Sequence, residues 1–233
     1  MDFRNPEAYL EGKVLFIDKP LTWTSFDVVN KIRWSLKTQL GIKKIKVGHA
    51  GTLDPLATGL VIVCTGRATK QMTQYQDMEK AYEAQIRLGA TTPSFDLETE
   101  VDQSFPWEHI TKDMLEEALI KLSGPQEQMP PVFSAKSVDG KRAYVSARKG
   151  IKVELKKHPI TIHKMEIQSI DLPNLSVHVE CSKGTYIRSL ARDLGEELNS
   201  GGFLTGLRRT RIGPYKVEDA LSLDNFLEKI KLL

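Results

Sequence analysis

The chain has 233 residues, enough for one large domain or one domain with a small appendage. A hydrophobic fraction of 40% and a charged fraction of 27% are typical of a globular protein and exclude a collagen repeat or a disordered chain. The longest apolar run, 60–64, is too short to span a bilayer, and residues 1–13 lack the apolar core of a secretion signal. With only two cysteines, we expect a cytoplasmic protein without a cysteine-rich zinc site.

The net charge of +3 favours an RNA partner only weakly, but the basic residues are clustered. Such clusters could bind phosphates or could simply be solvated surface. They are Lys43, Lys44 and Lys46; Lys136, Lys141, Arg142, Arg148 and Lys149; and Arg208, Arg209 and Arg211.

The first third of the chain predicts a strand at 13–18 that ends before Pro20, since proline cannot continue a strand ladder. A helix follows, capped by Thr24-Ser25 and ended by Gly41, with residues at helical spacing that are Phe26, Val29, Ile32 or Arg33, Leu36 and Leu40. Residues 48–59 form a loop, and strands are predicted through Val63 and at 81–88.

Residues 91–110 are irregular, and Thr111 caps a helix that Gly124 ends. Residues 126–150 are polar, basic and rich in turns, with a tight-turn signal at Asp139-Gly140, and indicate a flap. Strands at 160–170 and 175–181 and helices at 186–198 and 222–232 follow. Because strands and helices do not alternate regularly, we predict an α+β fold with a mixed, mainly antiparallel sheet.

The most concentrated motif is the segment 48–59, GHAGTLDPLATG, whose glycines and proline impose an unusual loop. Asp54 lies there between apolar residues, so a buried carboxylate would need a cation nearby. The alternative is that Asp54 merely caps the turn. A lone histidine such as His49 is more often structural than catalytic, and the histidines have no metal-ligand spacing.

The second motif is the segment 181–188, CSKGTYIR, where a strand leads into a helix. Arg188 near the start of that helix could pair with an aspartate across a cleft and keep it ionised. The alternative is an ordinary arginine paired with Asp193 or Glu196 on its own helix. Phosphate-binding loops and the nucleophile elbow of hydrolases have no match in the sequence.

Together these motifs resemble the bacterial tRNA pseudouridine-55 synthase (TruB) family. The segment 48–59 resembles its catalytic-aspartate motif, and the resemblance extends from about residue 12 to about residue 225. The other matching segments, in the family's order, are Asp18-Lys19-Pro20 with Thr24-Ser25, Lys80-Ala81-Tyr82, Arg87-Leu88-Gly89, 133–136, 181–188 and Leu207-Arg208-Arg209.

The resemblance implies an isomerase that converts uridine 55 in the T-loop of tRNA to pseudouridine after base flipping, without a cofactor or a metal. Asp54 matches the catalytic aspartate, Tyr82 the tyrosine that stacks on the target uracil, and Arg188 the arginine that pairs with the aspartate. His49, Tyr186 and Leu207 match residues that line the pocket or contact the flipped nucleotide. The implied partner is the T-arm stem-loop of tRNA; we expect a monomer with no membrane or protein partner.

The sequence departs from the family pattern at three places. Thr22 stands where glycine is usual, Pro93 and Phe95 are unusual beside a fitting Asp96, and many members continue into a C-terminal RNA-binding module. We therefore expect one catalytic domain over 1–233, with 126–150 as an RNA-contacting flap and no separate C-terminal RNA-binding domain. The alternatives are a synthase of the same chemistry acting on another RNA, such as a guide-dependent relative, and an RNA chaperone.

Overall fold

The computed structural model describes residues 2–133, 137–138, 141–142 and 155–231. Its α-helices are α1 (Pro6–Gly12), α2 (Ser25–Leu40), α3 (Met72–Asp77), α4 (Lys112–Lys121), α5 (Ile187–Glu197) and α6 (Leu223–Ile230). Its strands are β1 (Val14–Lys19), β2 (Val47–His49), β3 (Ala57–Thr65), β4 (Lys80–Leu88), β5 (Ala90–Thr91), β6 (Gln103–Ser104), β7 (Gly124–Gln128), β8 (Ser137–Val138), β9 (Lys141–Arg142), β10 (His158–Asp171), β11 (Asn174–Cys181), β12 (Gly202–Ile212), β13 (Tyr215–Lys216) and β14 (Leu221–Ser222). No helix of these described ranges is both long enough and apolar enough to cross a membrane.

The strands pair in both directions, with antiparallel pairs in the majority. β1 pairs in parallel with β14 and antiparallel with β3, while β2–β3, β7–β10 and β10–β11 are all antiparallel. The predicted α+β class with a mixed, mainly antiparallel sheet is confirmed.

The chain forms two compact units: unit 1 comprises residues 1–82 and 208–233, and unit 2 comprises residues 83–207. In unit 1 the strand order is β14-β1-β3-β12, where β12 contributes its residues from Arg208 onward, with β2 added to β3 and β13 to β12. In unit 2 the order is β12-β4-β11-β10-β7, where β12 contributes its residues up to Leu207. The single catalytic domain over 1–233 stays a prediction.

The core of unit 1 is built around β3, whose residues 59–65 are all buried. A strand buried on both faces needs a nearly continuous apolar run, and the segment 60–64 (LVIVC) supplies it. Burial raises the pKa of the Cys64 thiol to about 11, so this thiol is neutral and packs as an apolar group.

Helix α2 begins and ends where the sequence predicts. Thr24 forms a capping box with Asp27, and Gly41 ends the helix in the left-handed conformation at φ 66°. The predicted apolar face is wrong at Phe26, which is 59% exposed, because the buried face runs through Val28 and Val29 instead. That face packs against β2 and α6.

Unit 2 contains the long hairpin β10–β11, whose strands the sequence predicts. Helix α4 follows its predicted Thr111 cap and packs against β10 and α5. Helix α5 buries the apolar residues Ile187, Leu190, Ala191 and Leu194 on one face. Period-3.6 burial of this kind supports the helix through packing rather than propensity.

The predicted flap begins too early at residue 126. Gln126, Glu127 and Gln128 belong to β7, which pairs with Ile160, Pro159 and His158 of β10. Farther along, β8 and β9 pair antiparallel. The predicted tight turn Asp139-Gly140 lies outside the described residues, as do residues 134–136 and 143–150 of the segment.

Candidate active site

The loop that carries Asp54 connects β2 to β3 in unit 1 and is held through its main chain. Ser25 at the start of α2 accepts a hydrogen bond from the Leu53 amide at 2.8 Å and donates to the Leu53 carbonyl at 3.2 Å. The Asp54 carbonyl accepts from the Ala57 amide at 3.1 Å. Asp54 itself is partly exposed, between the buried Leu53 and the half-buried Pro55. The carboxylate is therefore placed by a fixed backbone while it remains accessible.

Arg209 fixes the same loop from β12. Its side chain is only 1% exposed, and its guanidinium donates to the carbonyls of Gly51 at 3.2 Å, Thr52 at 3.3 Å and Leu60 at 2.7 Å. Buried arginines are retained where every donor finds an acceptor in a rigid planar pattern. The prediction that the cluster of Arg208, Arg209 and Arg211 could bind phosphates is wrong for Arg209.

Gly59 allows this close approach of β12. Its φ is +108°, and a Cβ built there would lie 2.3 Å from the carbonyl oxygen of Arg209. A side chain at position 59 would therefore push away the strand that carries Arg209. The close packing of Gly59 against the backbone of Arg209 thus explains the last glycine of the 48–59 motif.

Lys19 at the end of β1 is a second buried cation in unit 1. It is 0% exposed, and its ammonium donates to the carbonyls of Trp23 at 2.5 Å, Pro20 at 3.0 Å and Pro55 at 3.4 Å. Burial lowers the pKa of Lys19 to about 8, and the negative charge of Asp54 partly opposes that fall. Lys19 thus ties the turn at 20–23 to the residue after Asp54, and its positive charge interacts favourably with Asp54.

The turn between Lys19 and α2 contributes one more contact to the loop. The Thr22 amide donates to the Pro55 carbonyl at 2.9 Å, and Thr22 has a left-handed φ of 69°. Left-handed φ is costly for a β-branched residue and cheap for glycine, which explains why glycine is usual there.

The remaining predicted residues of unit 1 are His49 and Tyr82. His49 ends β2 opposite Val63 and is partly buried, and Tyr82 lies in β4 with its side chain buried. Asp54, His49 and Tyr82 therefore all belong to unit 1.

Arg188 in the first turn of α5 is the centre of a polar cluster in unit 2. Its side chain is 4% exposed and donates to the carbonyls of Ser94 at 3.2 Å and Phe133 at 2.9 Å. Its Nε lies 3.7 Å from Oδ2 of the buried Asp96. An arginine so deeply buried is held in one orientation by acceptors on two sides.

The alternative partner Asp193 is engaged elsewhere. Its Oδ1 accepts from Arg192 at 2.5 Å and 2.8 Å, and Glu196 lies 3.7 Å from the same guanidinium. The pairing with Asp193 and Glu196 that the sequence offered as the alternative for Arg188 is therefore made by Arg192.

Tyr186 precedes Arg188 and is fixed through its backbone by Gln128 of β7. The Gln128 side chain accepts from the Tyr186 amide at 2.8 Å and donates to its carbonyl at 3.1 Å. The Tyr186 ring meets His158 edge to face at 5.9 Å. Leu207 is partly buried in β12. Arg188, Tyr186 and Leu207 thus belong to unit 2.

The sequence did not indicate that Lys19, Ser25 and Arg209 hold the Asp54 loop, or that Gln128 holds Tyr186. For Lys19 a signal was present, because alternation along β1 puts position 19 on the same buried face as Leu15 and Ile17. A lysine on the core face of a strand requires acceptors, and only the fold shows that they lie in the Asp54 loop.

Comparison with known proteins identifies the family. The family model described as TruB family pseudouridylate synthase (N terminal domain) matches residues 37–187, and the tRNA pseudouridylate synthase B C-terminal domain matches residues 188–232. The chain is 60% identical over 220 residues to tRNA pseudouridine synthase B of Phocaeicola vulgatus, covering 94% of each chain. It is 52% identical over 227 residues to the protein of that name from Flavobacterium johnsoniae, covering 97% of this chain and 99% of the relative.

Solved structures show the same fold. A chain in the crystal structure of a Cbf5-Nop10-Gar1 complex matches with a TM-score of 0.72 and 26% identity, covering 97% of this chain and 56% of that chain. A chain of the archaeal box H/ACA sRNP Nop10-Cbf5 complex matches with a TM-score of 0.67 and 25% identity, again over 97% and 56%. The present chain thus spans about half the length of these solved chains. With the long matches to curated relatives, these comparisons show that the chain belongs to the TruB family of pseudouridylate synthases and is an isomerase.

Proposed function

We propose that the chain converts uridine 55 in the T-loop of tRNA to pseudouridine, with Asp54 as the catalytic carboxylate. The observation that carries the proposal is the fixed backbone of residues 51–55, in a chain 60% identical to a tRNA pseudouridine synthase B. A loop held at successive main-chain atoms keeps a reactive carboxylate in place without reorganisation during the reaction.

The reaction breaks the bond from N1 of uracil to C1′ of the ribose and forms a bond from C5 to C1′. The proton on C5 is lost and N1 gains one, so nothing is oxidised or reduced. Between breaking the first bond and forming the second, the base must rotate within the pocket. Asp54 is suited either to attack the sugar or base covalently or to stabilise the detached base and its sugar cation, and both routes need the ionised carboxylate.

The target uridine must leave the base stack before Asp54 can reach it. Unstacking costs a few kcal/mol, which contacts in the pocket offset. Tyr82 is proposed to stack on the uracil, which contributes roughly 1–3 kcal/mol per base. His49, Tyr186 and Leu207 are proposed to line the pocket around the flipped nucleotide.

Arg188 is proposed to pair with Asp54 and hold it ionised. Within unit 2, Ser94, Phe133 and Asp96 already orient its guanidinium. A preset cation lowers the pKa of a nearby carboxyl group because it favours the charged form. Lys19 adds positive charge to the Asp54 loop from within unit 1.

We further propose that residues 129–150, the part of the predicted flap that follows β7, contact the T-arm, in line with their basic composition, and that the protein acts as a monomer in the cytoplasm. Folded RNA is recognised mainly through shape, phosphates and 2′-hydroxyls, for which lysine and arginine are suited. Equal affinity for whole tRNA and an isolated T-arm hairpin would support recognition of the T-arm alone.

The experiment that tests the reaction is pseudouridine mapping of an unmodified T-arm hairpin after incubation with wild-type and Asp54→Asn protein. We expect conversion of the single target uridine by the wild type and none by the variant. Conversion of other RNAs but not of tRNA or the hairpin would overturn the substrate. Normal conversion by Asp54→Asn would overturn the role of Asp54.

A further inference from the structure

A surface cavity in unit 2 lies apart from the residues assigned above. It has a volume of about 580 Å³ and is lined by Thr91, Phe95, Asp102, Phe105, Arg192 and Asn199, among others. This volume falls within the range of about 300–1,000 Å³ that small-ligand pockets occupy. The cavity therefore offers enough space for a nucleobase or a nucleoside.

Phe95 has an unusual backbone within this cavity. Its φ is 62°, in the left-handed region that bulky residues rarely adopt, and its carbonyl accepts from the Leu204 amide at 3.0 Å. Glycine or asparagine would fit this conformation better. A strained residue that persists where others would fit better points to a role for its side chain.

The Phe95 ring is part of a stacking platform. The Arg192 guanidinium carbon lies 4.9 Å from the ring centroid, and Arg192 is itself oriented by Asp193. Aromatic rings and guanidinium planes are the surfaces on which proteins stack unpaired nucleobases. The guanidinium lies over one face of the ring, so a base would stack on the face that Arg192 leaves uncovered.

The charges of the cavity favour a base over a phosphate. Arg192 is neutralised by Asp193 and Glu196, and Asp102 adds a carboxylate whose Oδ1 accepts from Thr91 at 2.7 Å. A phosphate would be repelled by this surplus of carboxylates. Asp102 and the Asn199 amide instead offer an acceptor and a donor for the edge of a base.

We propose that this cavity binds an unpaired nucleobase of the RNA substrate, other than the target uridine, stacked on Phe95. The proposal rests on the RNA substrate of the proposed function and adds to it a second base-binding site. It gives a function to Phe95, a residue that is unusual in the family pattern.

The test compares Phe95→Asn and Phe95→Gly with their parent, all in the Asp54→Asn background so that no RNA is converted. Both substitutions suit a left-handed backbone and remove the ring. Binding of a labelled, unmodified T-arm hairpin is measured by fluorescence anisotropy, and the series is repeated with each loop nucleotide replaced in turn by an abasic one. Unfolding midpoints of all variants are measured alongside.

We expect both variants to bind the hairpin about 5- to 150-fold more weakly, the effect of losing one base stack. Relief of the left-handed strain opposes the loss of the contact between the ring and Arg192, so both variants should stay folded, which the unfolding midpoints check. One abasic position should weaken binding to the parent by a similar factor and have no further effect on binding to Phe95→Asn. Trp34→Asn is the matched control, since Trp34 is an exposed aromatic residue beside Lys31 on α2, and it should leave affinity unchanged.

Unchanged affinity of Phe95→Asn, or additive effects at every abasic position, would each overturn the proposal. Conversion by the protein with Asp54 intact is measured separately. If Phe95→Asn binds as tightly as its parent while the protein with Asp54 converts the RNA, only the base-binding cavity is rejected. If the Phe95 variants bind more weakly as expected but the protein with Asp54 converts no RNA, only the proposed reaction is rejected. A parent that binds neither the hairpin nor whole tRNA would overturn both.

Discussion

The ammonium of Lys19 lies 3.4 Å from the carbonyl oxygen of Pro55, the residue that follows Asp54. Lys19 is completely buried, and burial costs its charged form more than the neighbouring carboxylates return, so its pKa falls to about 8. The burial of Lys19 therefore makes the free energy of unfolding of the protein depend on pH.

The lowered pKa of Lys19 predicts that the free energy of unfolding rises as the pH becomes alkaline. The folded pKa of about 8 is below the ordinary value of 10.5, so between these values the unfolded chain binds more protons than the folded chain. The free energy of unfolding of the wild type should therefore rise across this window relative to Lys19→Met, by on the order of 1–3 kcal/mol. Urea unfolding of both proteins at several pH values measures the difference; a difference that stays constant with pH would contradict the assigned pKa.

Arg209→Met should destabilise the protein strongly. It removes three hydrogen bonds from a charged donor and leaves the carbonyls of Gly51, Thr52 and Leu60 without that donor, a loss of at least about 3 kcal/mol. Arg208→Met is the control, because Arg208 is partly exposed and its pair with Asp18 should contribute about 1 kcal/mol or less. Chemical denaturation of both variants gives the comparison, and similar losses for the two would refute the distinction.

Gly59→Ala should be far more harmful than Gly41→Ala. Both glycines have positive φ, but a Cβ at position 59 would collide with the backbone of Arg209, whereas a Cβ at position 41 meets nothing within 4 Å. Gly41→Ala should cost only backbone strain, about 1 kcal/mol, and Gly59→Ala at least about 3 kcal/mol. Thermal unfolding of the pair separates strain from collision. Equal shifts in the melting temperature would show that strand β12 can move away.

Arg188→Met should lower kcat at least about 100-fold, in the range seen when one stabilising group is removed from an active site. The affinity for the T-arm hairpin should change little, because Arg188 is buried and proposed to act on Asp54. Arg188→Lys, which keeps the charge but not the planar geometry, should recover only part of the rate. Single-turnover rates and binding constants for the three proteins test this, and near-normal turnover of Arg188→Met would reject the pairing.

The sequence predicted most of the regular structure because its signals are local. The Thr24 cap, the Gly41 stop and the apolar run 60–64 each depend on residues within a few positions. Phe26 was misplaced because period-3.6 spacing allowed two adjacent faces, and the packing of α2 on β2 and α6 selected the other one.

The site was less accessible to sequence reasoning. Motif resemblance predicted Asp54, Tyr82 and Arg188 as site residues, but the groups that hold Asp54 and Arg188 come from distant positions. Arg209 meets Gly51 across 158 positions, and Gln128 meets Tyr186 across 58. No local pattern encodes such pairings, since they arise only when strands far apart in the chain become neighbours in a sheet.

The contacts that Ser25, Lys19, Thr22 and Arg209 make to residues 51–55 all end on main-chain atoms. Hydrogen bonds to the main chain do not depend on the identity of the side chain, so the exposed Thr52 can be substituted without displacing the neighbouring Asp54. The surface side chains of this loop can thus vary through evolution or engineering while the main chain of residues 51–55, and with it the position of Asp54, stays the same.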